Sequence, residues 1–319
     1  MPDRIFYIVL NMSIASGIVI AVLLLVRLIR PIPRRYIYPL WTVPFIRLVM
    51  PFTPASGLSI FNLTGGLAKR LVDVETVTRG VVSVPAPVDL VMINAIGAAD
   101  RYDPISYKTE SLKRIFAVSS AVWAVVAAVA LTAVCLIYLF AIRELGKAVK
   151  VGDNIYRSEI IASPVLVGVF RPRVILPPGV EPESVQGKMI LEHENVHRKR
   201  LDNLWRALAA ATACVHWFNP LVWLMLRAFF RDMELSCDET VLKRGKYGID
   251  GTKTYASALL QYADSSSLFI PSAFGSSGIR VRIVNVLNYR RVTAIGAVAS
   301  AVFLLAVALA LITNPSFRG

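Results

Sequence analysis

Residues 115–140 run for 26 positions without a charged side chain, and no other feature narrows the folds open to this chain so much. About 20 apolar residues in a helix cross a hydrocarbon core of about 30 Å. Runs 6–26 and 292–312 reach that length, and 36–51 is a shorter fourth that includes Arg47. With 55% hydrophobic residues and a mean hydropathy of +0.59 over 319 residues, the composition excludes an ordinary soluble enzyme. The expected fold is mainly α and multi-pass, with four transmembrane helices plus a cytoplasmic α+β domain containing a small β-sheet. Run 6–26 is too long for a signal-peptide core and no small-x-small cleavage site follows it, so it reads as a retained anchor. Arg47 is expected to snorkel to the nearer interface.

Basic residues orient the spans. Arg27, Arg30, Arg34 and Arg35 crowd the link between the first two runs, which assigns that link to the cytoplasm and the amino terminus to the outside. Alternation then divides the chain into a hairpin (1–52), an extracytoplasmic loop (53–114), a third span (115–140), a cytoplasmic domain (141–291), a fourth span (292–312) and a short outer tail (313–319). Arg143, Lys147, Lys150, Arg290 and Arg291 agree with this, and only Lys113 and Arg114 dissent. The formal charge of +14 does not call for nucleic acid, because 141–291 alone holds 21 basic against 14 acidic residues, as expected of a face lying against anionic lipid. The lipid bilayer is thus the first partner. Cys135, Cys214 and Cys237 form no CxxC pair and read as reduced thiols.

Chemistry enters at His193-Glu194-Asn195-Val196-His197. Two histidines four apart on a helix aim two imidazoles at one point, where one zinc ion per chain can be held, and Glu194 is the expected general base on a zinc-bound water. Met189, Ile190, Val196, Leu201 and Leu204 fall on the histidine side of the helical wheel, with Glu192, Asn195 and Lys199 opposite. Ser184 is the expected cap, while Pro182 and Gly187 speak mildly against a helix. A zinc hydrolase needs a third protein ligand. Glu234 is the leading candidate, with Asp238 one turn later supporting a ligating histidine from behind. Asp202 is either an alternative ligand or an anchor for the turn between helices, and His216 is a weaker candidate for an oxyanion donor.

The surroundings are less specific. Residues 67–79 suggest a short helix and 81–84 an extended piece. Short β-rich runs across 148–180 suggest a small antiparallel sheet whose edge could take an extended peptide. Residues 207–230 are apolar but broken at Asn219-Pro220, which suggests a hairpin dipping into the membrane rather than another span, with arms of about half a core. Residues 264–289, rich in Ser and Gly, read as a flexible tether.

His193-Glu194-x-x-His197, then Trp217-Phe218-Asn219-Pro220-Leu221-Val222-Trp223, then Glu234-Leu235-Ser236-Cys237-Asp238-Glu239 together resemble the membrane metallopeptidase domain of BlaR/MecR-type β-lactam sensor-transducers, from about residue 5 to 291. The resemblance implies a cytoplasmic gluzincin-like zinc peptidase in a bacterial inner membrane. By position, His193, His197 and Glu234 would be ligands, Glu194 the base and Asp238 the supporting carboxylate. It implies as substrate a cytoplasmic protein, a transcriptional repressor among the candidates, and also the enzyme's own chain at a small-residue-to-Phe junction matching Ala273-Phe274. Family members continue into a penicillin-binding domain with a Ser-x-x-Lys nucleophile. This sequence has no Ser-x-x-Lys, so direct β-lactam acylation is not expected of it, and a separate sensing protein or a homo-oligomer has a place in the scheme. The competing expectation is a receptor with a structural or inactive zinc site that transmits a partner's signal through its spans.

Overall fold

The computed structural model describes residues 2–29, 32–63, 73–75, 90–102, 105–245, 249–261, 276–290 and 292–315. In chain order, α1 (Pro2–Val26) is followed by α2 (Arg34–Ile37), a 3-10 turn (Tyr38–Trp41) and α3 (Thr42–Val49). Then come β1 (Thr53–Ser56), α4 (Ile60–Leu63), β2 (Asp73–Glu75), β3 (Leu90–Asn94), β4 (Ala99–Tyr102), β5 (Ile105–Tyr107) and the long α5 (Glu110–Leu145). Strands β6 (Val149–Gly152), β7 (Ile155–Arg157), β8 (Val165–Val167) and β9 (Arg173–Leu176) precede α6 (Val185–Lys199), α7 (Asp202–Val215) and α8 (Pro220–Gly245). Last are α9 (Ile249–Gln261), α10 (Ser276–Leu287), α11 (Ala294–Ile312) and β10 (Asn314–Pro315).

Among the described residues three helices, α1, α5 and α11, are long and apolar enough to cross a membrane. The segment of the expected second span is not among these three and consists of three consecutive short helical pieces over 34–49. Pro39 and Pro44 remove two backbone donors and limit the length of each piece. This segment lies inside the bundle: Trp41, Val43, Phe45 and Leu48 are buried with residues of α1, α8 and α11. Arg47 reaches the carboxyl end of the last membrane-length helix. It is buried and donates from Nε to the Leu311 carbonyl and from Nη2 to that of Thr313, both at 2.6 Å, satisfying carbonyls left open at the end of α11.

The apolar stretch 207–230 does form a hairpin, α7 and α8, but it penetrates further than expected. His216 Nε2 donates to the Leu48 carbonyl at 2.9 Å, Asn219 Nδ2 donates to Ser13 Oγ at 2.8 Å, and Trp123 Nε1 donates to the Val215 carbonyl at 2.8 Å. Phe218 at the tip packs edge-on against Phe6 near the start of α1. Small residues permit this approach: a Cβ on Gly17 would press on Leu221 at 3.2 Å. The reach was underestimated because α8 runs unbroken from Pro220 to Gly245, so its apolar half is continuous with its acidic half.

At the far end of the spans, a four-stranded sheet has the order β10-β1-β3-β2, with β10 parallel to β1. Residues 73–75 are a strand there, against the helix expected over 67–79, because they pair antiparallel with β3. The other residues of that expectation, and 81–84, lie outside the described residues. The second four-stranded sheet, β6-β7-β9-β8, is mixed rather than antiparallel, since β7 runs parallel to β9. Its inner face, with Leu166, Val174 and Leu176, packs on Ile190 of α6 and Ala258 of α9. Edge strand β8 has the Leu166 carbonyl, and the following turn that of Gly168, occupied by Asn203 Nδ2 at 2.9 Å, which removes acceptors from the edge expected to bind a peptide.

Candidate metal centre

Helix α6 carries the motif, and its start follows from local chemistry. Ser184 Oγ accepts from the Gly187 N–H at 2.9 Å. Gly187, which looked unfavourable, is required: a Cβ there would collide with the Glu181 carbonyl. Met189, Ile190 and Val196 are buried on the histidine side as the wheel predicts. Leu201 is not among them. It lies beyond the helix in the left-handed turn to α7 (φ 56°) and is half exposed.

The imidazoles of His193 and His197 approach each other with their Nε2 atoms 3.1 Å apart, because each ring is held from behind by its Nδ1. His197 Nδ1 meets Asp202 Oδ2 at 2.6 Å, and the other oxygen of that carboxylate accepts from the Tyr38 hydroxyl at 2.9 Å. His193 Nδ1 meets the Tyr255 hydroxyl at 2.8 Å, which in turn donates to Asp238 Oδ1 at 2.8 Å. These partners assign the proton to Nδ1 on both rings and turn both Nε2 lone pairs inward. Two acceptors face to face need a cation or a proton between them.

Glu234 supplies the third side. Its Oε2 lies 3.5 Å from His193 Nε2 and its Oε1 3.6 Å from His197 Nε2. A tetrahedral ion with bonds of about 2.1 Å separates its ligand atoms by about 3.4 Å, so these three groups fit a zinc-sized ion. Cys237, one turn after Glu234, is a fourth group: ligand atoms of His193, His197 and Cys237 all lie within 4.8 Å of one another. We favour Glu234 as the third ligand, since its spacing matches the tetrahedral edge. Glu194 is 8% exposed and has no hydrogen bond or ion pair with any described residue, which leaves its carboxylate available to a water.

Burial opposes charge throughout the cluster, yet neighbouring charges override it. The Arg282 guanidinium holds the Asp238 carboxyl down at about 2. His197 and Arg282 hold Glu234 well below the carboxylate range. Both imidazoles are raised well above theirs against burial, by Cys237 and Tyr255 at His193 and by Cys237 and Glu234 at His197, with hydrogen bonds to Asp238 and Asp202 adding to this.

Asp238 supports His193 in the place expected of it. Asp202 lies behind His197, on the nitrogen facing away from the centre, and so takes the supporting place rather than that of a ligand. His216 is buried at the hairpin tip, bonded to the Leu48 carbonyl, and is not brought to the centre. Ala273 and Phe274 lie outside the described residues.

Two participants were missed. Tyr255 sits on α9, where a single tyrosine in a helical pattern gives no signal. Arg282 sits within the stretch read as a tether, which instead holds the helix α10. Val286 of that helix is fully buried against α6, α8 and α9. Arg282 pairs with both oxygens of Asp238 at 2.8 and 2.9 Å, reaches Glu234 Oε2 at 3.2 Å, and lies 3.3 Å from His193 Nε2. Arg206 pairs with the other Glu234 oxygen at 2.8 Å. The sequence signal for α10 was the apolar spacing of Ile279, Ile283 and Val286, obscured by the Gly and Ser before it.

Three helices long enough to cross a membrane, together with a His-Glu-x-x-His helix that meets a carboxylate from a second helix, are the features expected of a membrane metallopeptidase. The chain belongs to the BlaR1 peptidase M56 family, whose profile matches residues 7–285. It is similar to regulatory protein BlaR1 of Bacillus licheniformis, with 36% identity over 168 residues, or 50% of this chain. That match covers 28% of the relative's length, so the chain corresponds to little more than a quarter of it.

Proposed function

We propose that the protein is a membrane-embedded zinc metalloendopeptidase acting in signal transduction. The reading rests on one observation, the convergence of the His193 and His197 Nε2 atoms with the Glu234 carboxylate at the spacing a zinc ion requires. When bound there, zinc supplies Lewis-acid polarisation and a more acidic water. Asp202 and the Tyr255–Asp238 pair keep both imidazoles oriented with the Nε2 lone pairs inward. Glu194 takes the proton of the attacking water on its carboxylate and delivers it to the departing amine nitrogen, serving as base and then as acid. Family membership and the basic link between the first two apolar segments support a bacterial inner membrane with the centre on the cytoplasmic side and both termini outside.

The substrate in this reading is a cytoplasmic protein, with a transcriptional repressor the leading class, and the chain itself at Ala273-Phe274 a second. Ser276, two positions after that junction in the sequence, begins α10, the helix whose Arg282 reaches the centre. A receptor with an inactive zinc site is favoured by one observation, the two guanidiniums already engaging Glu234. Cellular peptide termini compared between wild type and Glu194→Ala separate the two. Peptidase activity predicts termini that vanish in the variant, including one at Phe274 if the chain cuts itself. Identical termini together with intact signalling would establish the inactive receptor.

A further inference from the structure

Arg171, Arg173 and Arg198 line one open cleft of about 450 Å³ together with Asn154, Tyr156 and Leu201. None of the three arginines pairs with a carboxylate among the described residues. Two are held by neutral groups instead: Arg198 Nη2 donates to Asn195 Oδ1 at 2.8 Å, and the Arg173 guanidinium lies 5.3 Å from the centre of the Tyr156 ring. Three cations are thus gathered and partly pre-oriented with their charge unspent, which is the arrangement that recognises a phosphate.

Two contacts fix the height of the cleft. Leu201 precedes Asp202, which accepts from Tyr38 in the segment just after the basic link of the first two membrane elements. On the other side, the backbone of Val169 lies near the Tyr138 hydroxyl, close to the end of the apolar run of α5. Phe170, next to Arg171, is 90% exposed, and Leu201, in a left-handed backbone conformation, is 50% exposed. Cations beside uncovered apolar side chains, at the level where spans leave the hydrocarbon, match one molecule with both chemistries. An acidic peptide would use the arginines and leave Phe170 in water.

We propose that this cleft binds the phosphodiester headgroup of an anionic phospholipid, with Phe170 and Leu201 against its acyl chains. Because Arg198 follows His197 directly and Leu201 forms the turn to Asp202, the lipid braces the side of the metal centre that holds His197. The site stands independently of the peptidase reading.

Native mass spectrometry of the full chain in detergent, with equal amounts of dioleoylphosphatidylglycerol and dioleoylphosphatidylcholine, tests this. The anionic lipid should be retained about tenfold more strongly, and the Arg171→Gln/Arg173→Gln double variant should lose that preference. Both arginines are exposed, so zinc content and melting temperature should match wild type, and Phe170→Ser should weaken retention of both lipids without removing the preference. Equal retention of the two lipids by wild type would overturn the proposal. So would an unchanged preference in the double variant, or displacement of the lipid by inorganic phosphate or a glutamate-rich peptide at matched concentration.

Discussion

Asn in place of Asp202 removes the charge behind His197 while keeping the shape of the side chain. In the native protein the carboxylate accepts from His197 Nδ1 at 2.6 Å and from the Tyr38 hydroxyl at 2.9 Å, pairs with Arg200 at 3.1 Å, and is fully buried. A hydrogen bond to a charged group contributes about 1.5–3 kcal/mol and a neutral one about 0.5–1.5 kcal/mol, so the substitution weakens the support of the imidazole by about 1–2 kcal/mol. At about 1.4 kcal/mol per factor of ten, zinc affinity should fall about 5- to 30-fold, near the lower end of the range seen when groups behind a metal-bound histidine are replaced. Competition titration of detergent-solubilised protein against a chromophoric zinc chelator measures it, with Glu181→Gln as an exposed control. A direct ligand would give a far larger loss, of several orders of magnitude. A Kd within twofold of wild type, in a variant with unchanged melting temperature, would refute the claim that Asp202 holds a ligating imidazole.

Three further outcomes are expected. His216→Asn should lower thermal stability while leaving zinc affinity and proteolysis unchanged, because its Nε2 is bonded to the Leu48 carbonyl at the hairpin tip; a loss of turnover at normal zinc content would return it to the reaction. Asp238 has a folded-state pKa of about 2, below its usual 3.8, so its contribution of about 2 kcal/mol is present above pH 3.8 and disappears as pH falls towards 2. Acid unfolding followed by circular dichroism should therefore be shallower over that window in Asp238→Asn, and an unchanged slope would count against the Arg282 pair. Asp232→Ala should destabilise by about 3–5 kcal/mol, since it strands Arg27 and Trp41 Nε1, now 2.8 and 3.0 Å from a fully buried carboxylate; thermal unfolding in detergent measures it.

The sequence was most informative where chemistry and helical periodicity coincide. Histidines four apart fix their own geometry, and Asp238 is one turn from Glu234, so both pairs could be read from spacing alone. Supporting groups from other elements were harder. Tyr255 and Arg282 reach the centre through the packing of α9 and α10 on α6 and α8, a property of the fold rather than of local pattern. Arg282 was hidden further by the Gly and Ser preceding it, which have the composition of a linker although the residues after them form a helix. The second apolar run has the composition of a span, but two prolines divide its helix into short pieces that are buried among other helices. Depth of the α7–α8 hairpin was misjudged because charge alone marked its end, whereas helix α8 continues through the charged residues.

That continuity has a mechanical consequence for the centre. Asp232 is tied to Arg27 just after α1, and Glu239 accepts the backbone N–H groups of Arg34 and Arg35 at 3.1 Å, so the acidic stretch of α8 is fastened at one end beside α1 and at the other to the start of α2. Glu234, Cys237 and Asp238 lie between these fastenings on a helix of 26 residues, a rod about 39 Å long that also forms one arm of the hairpin inside the bundle. The histidines sit on a different helix with their own supports, one of which, Asp202, reaches back to Tyr38. On the proposed reading the ligand set is therefore divided between two helices, each fastened to the first membrane elements at a different point. A shift of α1 against the 3-10 turn that bears Tyr38 acts on the distance between the Nε2 atoms and Glu234, and that distance must stay near about 3.4 Å for a zinc ion to be held by all three. Arg282 spans the division, pairing with Asp238 and Glu234 on α8 while lying against His193 on α6, so the position of α10 bears on the same distance. On that reading signal and chemistry need no separate route between them: the helix that carries Glu234 is itself packed into the bundle of membrane-length helices.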